Sequence, residues 1–263
     1  MTFQTIICDV RPPIAELVLN RPDAGNTFTA ELLVELAEAT TRLATEPDVR
    51  AVVLRGDGKH FCFGANVDMF CDHPVDQRPP LIRDLVTKFH QAITRLTRLE
   101  VPVVGVGHGT VVGGGLSLLA ACDVVLAAES TRFRLGWTGI GITMDGGATW
   151  LLPRIIGLHR TLELVHTNRI FTAAEAEAWG LVNRVVADDE VEARTRELAD
   201  SLASGPTLAL GWCRRLVFDG MSQSLDAQLE NEAVTIVRSF ATADSDEGFR
   251  AFRERRTPKF RGA

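Results

Sequence analysis

Short apolar runs alternate with amphipathic helical patterns along the first half of this chain, and that alternation restricts the fold more than any single motif. Ile14 to Asn20 alternates well enough for a strand, and Arg21-Pro22-Asp23 stops it. Thr29 makes a good N-cap for a helix through Ala44, with Leu32, Leu33, Leu36, Ala37 and Leu43 spaced for one face. A buried strand at Ala51 to Arg55 leads into the loop Gly56 to Ala65. After a polar, proline-bearing stretch from Asp72 to Pro80 comes a helix from Leu81 to Arg98, and Pro102 introduces a strand at Val103 to Val106. A short helix from Gly115 to Ala121 and a strand from Asp123 to Ala127 follow. Repeated strand-helix-strand units imply parallel pairing with right-handed crossovers, hence an α/β fold. Beyond Asp145 the pattern is mostly helical, over 146 to 156, 158 to 166, 173 to 179, 190 to 203, 207 to 218 and 224 to 241. Gly205-Pro206 is the best hinge, so we expect a core over 1–204 and a C-terminal helical region over 205–263.

Composition narrows the partners. A chain of 263 residues that is 46% hydrophobic is long enough to bury a large core. No apolar run approaches the roughly 18 to 20 residues of a membrane span, and the N-terminus lacks the pattern of an export signal. The five cysteines are scattered, with no C-x-x-C and no histidine at ligand spacing, which points to reduced cytoplasmic thiols and to no metal site. A formal charge of −6 disfavours a nucleic-acid partner, yet residues 250 to 261 carry five arginines and Lys259 against Glu254 alone. That basic tail is either a solvated helix end whose cations suit the C-terminal dipole or a docking site for a phosphate-bearing small molecule.

In an open parallel sheet the loops at the carboxyl ends of the strands are where ligands bind. Two such loops stand out here: Lys59 to Val67, and Gly109 to Gly115 with its run Gly113-Gly114-Gly115. Backbone N–H groups from both would suit one anionic oxygen, although a glycine run also serves close helix-strand packing. Asp145, set among apolar and small residues, is either an acid/base group or the N-cap of the helix that follows. Trp137, eight residues earlier, is core by default, but a buried indole N–H needs a partner and a carboxylate suits it. Ile140, Ile142 and Met144 would complete apolar surroundings for Asp145. His90 lies on the helix Leu81 to Arg98, partly exposed or packed in the core unless the fold brings it to Asp145. There is no G-x-S-x-G elbow, no Walker A loop and no dinucleotide fingerprint.

Phe61-Cys62-Phe63-Gly64-Ala65, Pro102 to Val106, Gly113-Gly114-Gly115-Leu116, Ala121-Cys122-Asp123, Gly180 to Val186 and the tail Glu247-Gly248 to Phe260 together resemble the crotonase superfamily of enoyl-CoA hydratases and isomerases. The resemblance covers nearly the whole chain in order. It implies a ββα spiral core with a C-terminal helical trimerisation region, and a homotrimer or homohexamer. It implies an acyl-CoA thioester substrate, with coenzyme A entering as part of that substrate and no permanently bound cofactor. By position, the oxyanion-hole donors would be the N–H groups of Ala65 and Gly114. Phe63, Gly64 and Gly113 would line the same site, and Lys259 and Phe260 would hold the nucleotide part of CoA, in some members from a neighbouring subunit.

Departures from the pattern carry as much information. The positions that match the two glutamates of true hydratases are Ser117 and Trp137, neither of which is an acid or base near neutral pH, so ordinary hydration is doubtful. Asp145 falls where some members place a catalytic Asp. Asp145-Gly146-Gly147 with Leu152-Pro153-Arg154 is similar to the 1,2-epoxyphenylacetyl-CoA isomerase type, implying an isomerase with Asp145 as acid/base. Trp137, His90 and Asp145 also match the 4-chlorobenzoyl-CoA dehalogenase pattern, in which the Asp is a nucleophile. A CoA-ester binder that has lost catalysis is the third possibility.

Overall fold

The computed structural model describes residues 3–263. Strands β1 (Ile6–Arg11) and β2 (Ile14–Leu19) form an antiparallel hairpin, with Ile6 opposite Leu19 and Arg11 opposite Ile14. Helix α1 (Ala30–Leu43) leads to β3 (Ala51–Gly56), and α2 (Asp68–Cys71) and α3 (Arg78–Thr97) lead to β4 (Val103–Gly107). Then come β5 (Thr110–Val112), α4 (Gly114–Ala120), β6 (Val124–Ala128) and β7 (Arg132–Arg134). The remainder is α5 (Ala148–Ile155), α6 (Leu158–Thr167), β8 (Phe171–Thr172), α7 (Ala173–Ala178), β9 (Arg184–Val186), α8 (Val191–Ala203), α9 (Thr207–Gly220), α10 (Leu225–Ser239) and α11 (Ala243–Glu254). The main sheet has the order β1-β2-β3-β4-β6-β9, parallel throughout except for the first hairpin, and a smaller sheet has the order β5-β7-β8.

The two faces of the main sheet are covered differently. Leu17, Leu19 and Leu54 meet Leu32 and Leu36 of α1 and Leu96 of α3, all fully buried, in the larger core. Removing a leucine side chain from water stabilises by about 1.5–3 kcal/mol, so this cluster dominates the fold. On the other face Val53, Val104, Val106 and Leu126 pack with Ala199 of α8 in a separate cluster. Thr29 caps α1 as its position suggests, its side chain accepting the Leu32 N–H.

The differences from the sequence reading have local causes. Helix α3 starts at Arg78, three residues before the expected Leu81, because Pro79 and Pro80 occupy the first turn, where no N–H is needed. The helix expected from 146 starts at Ala148, because Gly146 and Gly147 take left-handed φ of 62° and 79°. Strands β1, β5, β7, β8 and β9 and helices α2 and α11 are additional to that reading.

The C-terminal helices are held to the core unequally. Arg214 of α9 is buried, its Nε 2.6 and 2.7 Å from the two Asp123 carboxylate oxygens, and its Nη atoms donate to the carbonyls of Leu96, Thr97 and Leu99 at the end of α3. Helix α10 has no buried residue, and Leu225, Val234 and Val237 on it are exposed, as are Phe240 just after it and Phe249 and Phe252 of α11. Among the described residues no helix is long and apolar enough to cross a membrane.

Candidate active site

Because β2, β3 and β4 run parallel, the loops that follow them share one edge of the sheet. From Phe61 to Asn66 the loop after β3 is stitched to its neighbours through every backbone donor but one. Phe61 N–H goes to His108 O, Cys62 N–H to Thr110 O, Phe63 N–H to Gly25 O, Gly64 N–H to Cys62 Sγ and Asn66 N–H to Phe28 O. Ala65 N–H is the exception, with no acceptor among the described residues, and Ala65 is exposed. A backbone donor left over in so fully paired a segment is available to a ligand.

Gly114 opens α4, so its N–H is one of the unpaired donors of a helix start. The two loops touch there: a Cβ on Gly64, whose φ is +80°, would stand 2.9 Å from Gly114 N and 2.9 Å from Val112 O. Gly64 therefore permits both the turn and the approach. Gly113 N–H is spent on Arg134 O at 3.3 Å. Phe63 is 38% exposed, its ring 4.7 Å from that of His60.

Asp145 sits on the turn between the segment carrying Trp137 and helix α5. Its Oδ1 accepts the Trp137 Nε1–H at 3.0 Å, and Trp137 itself is 6% exposed. Its carbonyl accepts the Ser117 hydroxyl at 2.9 Å and the Ala148 N–H at 3.1 Å. The side-chain cap is not formed: α5 is capped at Gly147 with no side-chain bond, since two glycines separate Asp145 from the first turn. Burial pushes the Asp145 carboxyl above the ordinary aspartate value, while the indole hydrogen bond and the nearby His90 act in the opposite direction.

Gly146 likewise admits only glycine: its φ is +62° and a Cβ would stand 2.3 Å from Phe89 Cε1 and 2.8 Å from Ser117 Cβ. Its N–H donates to His90 Nε2 at 3.2 Å, so His90 does reach the turn, although its side chain is exposed. That bond makes Nε2 an acceptor and leaves the proton of the neutral ring on Nδ1. Ile140 and Ile142 do not enclose Asp145 as expected. They are 55% and 49% exposed, on the outer side of the turn.

Ala65, Gly114, Gly113, Phe63, Gly64, Trp137, Asp145 and His90 thus lie along one edge, whereas Lys259 and Phe260 do not. Arg50, immediately before β3, donates to Phe260 O at 3.3 Å and to Gly205 O at 2.7 Å, which docks the tail at the amino ends of the strands. The buried Asp244 carboxylate takes the N–H groups of Arg261 and Gly262 at 2.6 and 2.8 Å and fixes the tail there. A strand of the length of β3 spans about 20 Å, so within one chain the tail is at the wrong end of the sheet for these loops. Part of its charge is also neutralised internally, by Arg250 with Asp246 and by Arg256 with Glu247 and Glu254.

One supporting residue is absent from the sequence reading. Asn26, fully buried with φ 54°, donates through Nδ2 to the carbonyls of Asp57, His60 and Phe61 at 2.9, 2.8 and 3.1 Å. It shapes the loop that ends in Ala65. The signal was an Asn beside a glycine after a proline turn, which tolerates left-handed backbone. Among the described residues no cluster of His, Cys, Asp and Glu suits a metal ion.

The chain has relatives among known proteins. The chain is 33% identical to 4-chlorobenzoyl coenzyme A dehalogenase-2 of an Arthrobacter species over 92% of this chain and 88% of that one. It is 31% identical to 1,2-epoxyphenylacetyl-CoA isomerase of Escherichia coli K12 over 99% of each. It superposes on the crystal structure of an enoyl-CoA hydratase from Bacillus anthracis with a TM-score of 0.92 at 32% identity, covering 99% of this chain and 100% of that one. The family model for enoyl-CoA hydratase/isomerase matches residues 10–263, and with it the chain belongs to that family and has the crotonase fold.

Proposed function

We propose that this enzyme, from a family that acts on CoA thioesters, is an acyl-CoA isomerase. One observation carries the reading. A desolvated carboxylate, pinned at one oxygen by Trp137, stands on the edge where Ala65 and Gly114 offer unpaired N–H groups. Those donors would take the thioester oxygen as it becomes an enolate, and Asp145 Oδ2 would remove a proton from the α or γ carbon and return it at the other end of the allylic system. The electron pair moves onto the thioester oxygen and back, so no co-reactant is needed. A raised pKa serves a group that must both take and release a proton. Ser117 is committed to the Asp145 carbonyl and Trp137 to its carboxylate, and neither position supplies the second carboxylate that hydration would need.

Coenzyme A enters as part of the substrate, and Lys259 and Phe260 would hold its nucleotide end in a neighbouring copy's site, since their own is out of reach. The exposed apolar faces of α10 and α11 support a trimer built through the region 205–263, alone or paired into a hexamer. The test is proton exchange in D₂O with 3-enoyl-CoA and ring-derived CoA thioesters. Asp145→Asn should neither isomerise nor exchange; exchange at the wild-type rate would remove Asp145 from the mechanism.

A second reading draws on His90. In an aroyl-CoA dehalogenase the Asp145 carboxylate would attack the halogen-bearing ring carbon and expel halide, and water activated by His90 would then cleave the aryl ester. Against it, His90 Nε2 already accepts the Gly146 N–H. Rapid-quench mass spectrometry with 4-chlorobenzoyl-CoA decides: an adduct on Asp145 with chloride release supports dehalogenation, and neither appearing excludes it.

A further inference from the structure

Trp137 meets Asp145 because the short turn that carries it is gripped from outside, by the end of α6. Asn168, which caps that helix, is 9% exposed and holds the left-handed conformation, with φ 48° and ψ 30°. Its Oδ1 accepts the Gly136 N–H at 2.9 Å, and its carbonyl accepts Arg134 Nε at 2.9 Å. Thr138 Oγ1 donates to Val165 O at 2.8 Å, and a methyl group on Gly139 would stand 2.2 Å from Asn168 Nδ2. The residues on both sides of Trp137 are therefore tied to one helix terminus, and the nearly buried indole is left a single direction, toward Asp145 Oδ1.

We infer that Asn168 is a positioning residue for the reacting carboxylate, acting through the Gly136 N–H and the Trp137 indole. The groups that face Asp145 are few: Trp137 from this turn, Ser117 from α4 and, as the one titratable neighbour acting on it, His90 from α3. An indole that drifts removes a donor from the charged carboxylate, which then protonates more readily. The kinetic part of this role rests on Asp145 being the reacting group; the orientation of the indole does not.

Asn168→Gly separates positioning from simple helix capping, because glycine keeps the left-handed cap and loses only the amide. NMR of the Trp137 indole N–H, assigned by its loss in Trp137→Phe, reports the contact and the pH at which Asp145 titrates. In Asn168→Gly we expect this resonance to move, its titration midpoint to shift to higher pH, and kcat to fall about 10-fold with KM within about 2-fold. Asn168→Asp, which keeps an acceptor oxygen, should restore both. Gly139→Ala, which displaces the same amide, should reproduce the Asn168→Gly result. Lower melting temperatures with an unmoved indole resonance and titration would overturn the role and leave Asn168 a helix cap. A moved indole in a protein that turns over no CoA thioester would uphold the positioning and overturn the proposed function.

Discussion

Arg214→Met tests what fastens the C-terminal helices to the core. The arginine side chain is 7% exposed and its partner Asp123 is 19% exposed, so neither charge is returned to water when the other is removed. The substitution deletes both contacts to the carboxylate and the donors to the carbonyls of Leu96, Thr97 and Leu99. Asp123 keeps the Val103 N–H at 2.7 Å. Breaking a buried pair on one side costs about 3–5 kcal/mol, a large part of the roughly 5–15 kcal/mol that holds a typical domain together. Burial already pushes the Asp123 carboxyl upward against the pull of Arg214, and without the arginine it rises further. An acid whose folded pKa is raised favours the fold below its unfolded value and loses that contribution as pH rises through the folded value. The penalty of Arg214→Met should therefore be smaller at pH ~5 than at pH ~8. Urea denaturation at both pH values measures it, and Asp123→Asn combined with Arg214→Met should recover most of the loss. A loss under ~1 kcal/mol, or a double variant no better than the single one, would refute the assignment.

Gly64→Ala places a methyl against Gly114 N and should lower kcat by about 10²- to 10³-fold with an unchanged circular dichroism spectrum; a wild-type rate would mean the two loops do not share a substrate oxygen. Because burial raises the Asp145 carboxyl, kcat/KM should fall as pH drops through a value above that of ordinary aspartate. Trp137→Phe should move that limb to higher pH, and a limb that stays put contradicts the role of the indole. Under native conditions the exposed Cys71 and Cys213 should alkylate, whereas Cys62, its thiol pushed up to about 12 by burial, should react only after unfolding; peptide mapping by mass spectrometry reads this directly. Co-expressing Asp145→Asn with a Lys259→Ala, Phe260→Ala double variant should regain part of the activity that each lacks, and no recovery would argue that the tail does not serve a neighbour's site.

Local rules made α1 legible, since Thr29 and the leucine spacing act within a single helix. They missed β1, an edge strand whose residues Cys8, Asp9 and Val10 are all half-buried, so that no clean alternation marks it. They missed α11 because only Asp244 and Ala251 of that charged segment are buried. At the site, the glycine run Gly113 to Gly115, Trp137 and Asp145 stood out as residues, whereas the donor roles of Ala65 and Gly114 came only with the resemblance. The contact of His90 with Gly146, 56 residues apart, depends on how α3 lies against the Asp145 turn and is invisible to spacing. The placement of Lys259 and Phe260 was equally hidden, being set by Arg50 and Asp244 from distant parts of the chain. Asn168 left no pattern at all, because its work is done by an amide and a left-handed backbone across the gap to Gly136.

The unpaired donors of Ala65 and Gly114 belong to the main chain, and no single side-chain replacement deletes a main-chain N–H unless it introduces proline. Ser117, Trp137, His90 and Asp145 are side chains on separate elements and carry no such protection. Random mutation therefore meets a divided site, in which one half resists change and the other drifts freely. If Ala65 and Gly114 hold the substrate as proposed, a lineage built on this scaffold can exchange its acids, bases and nucleophiles one at a time while every intermediate still grips the same functional group.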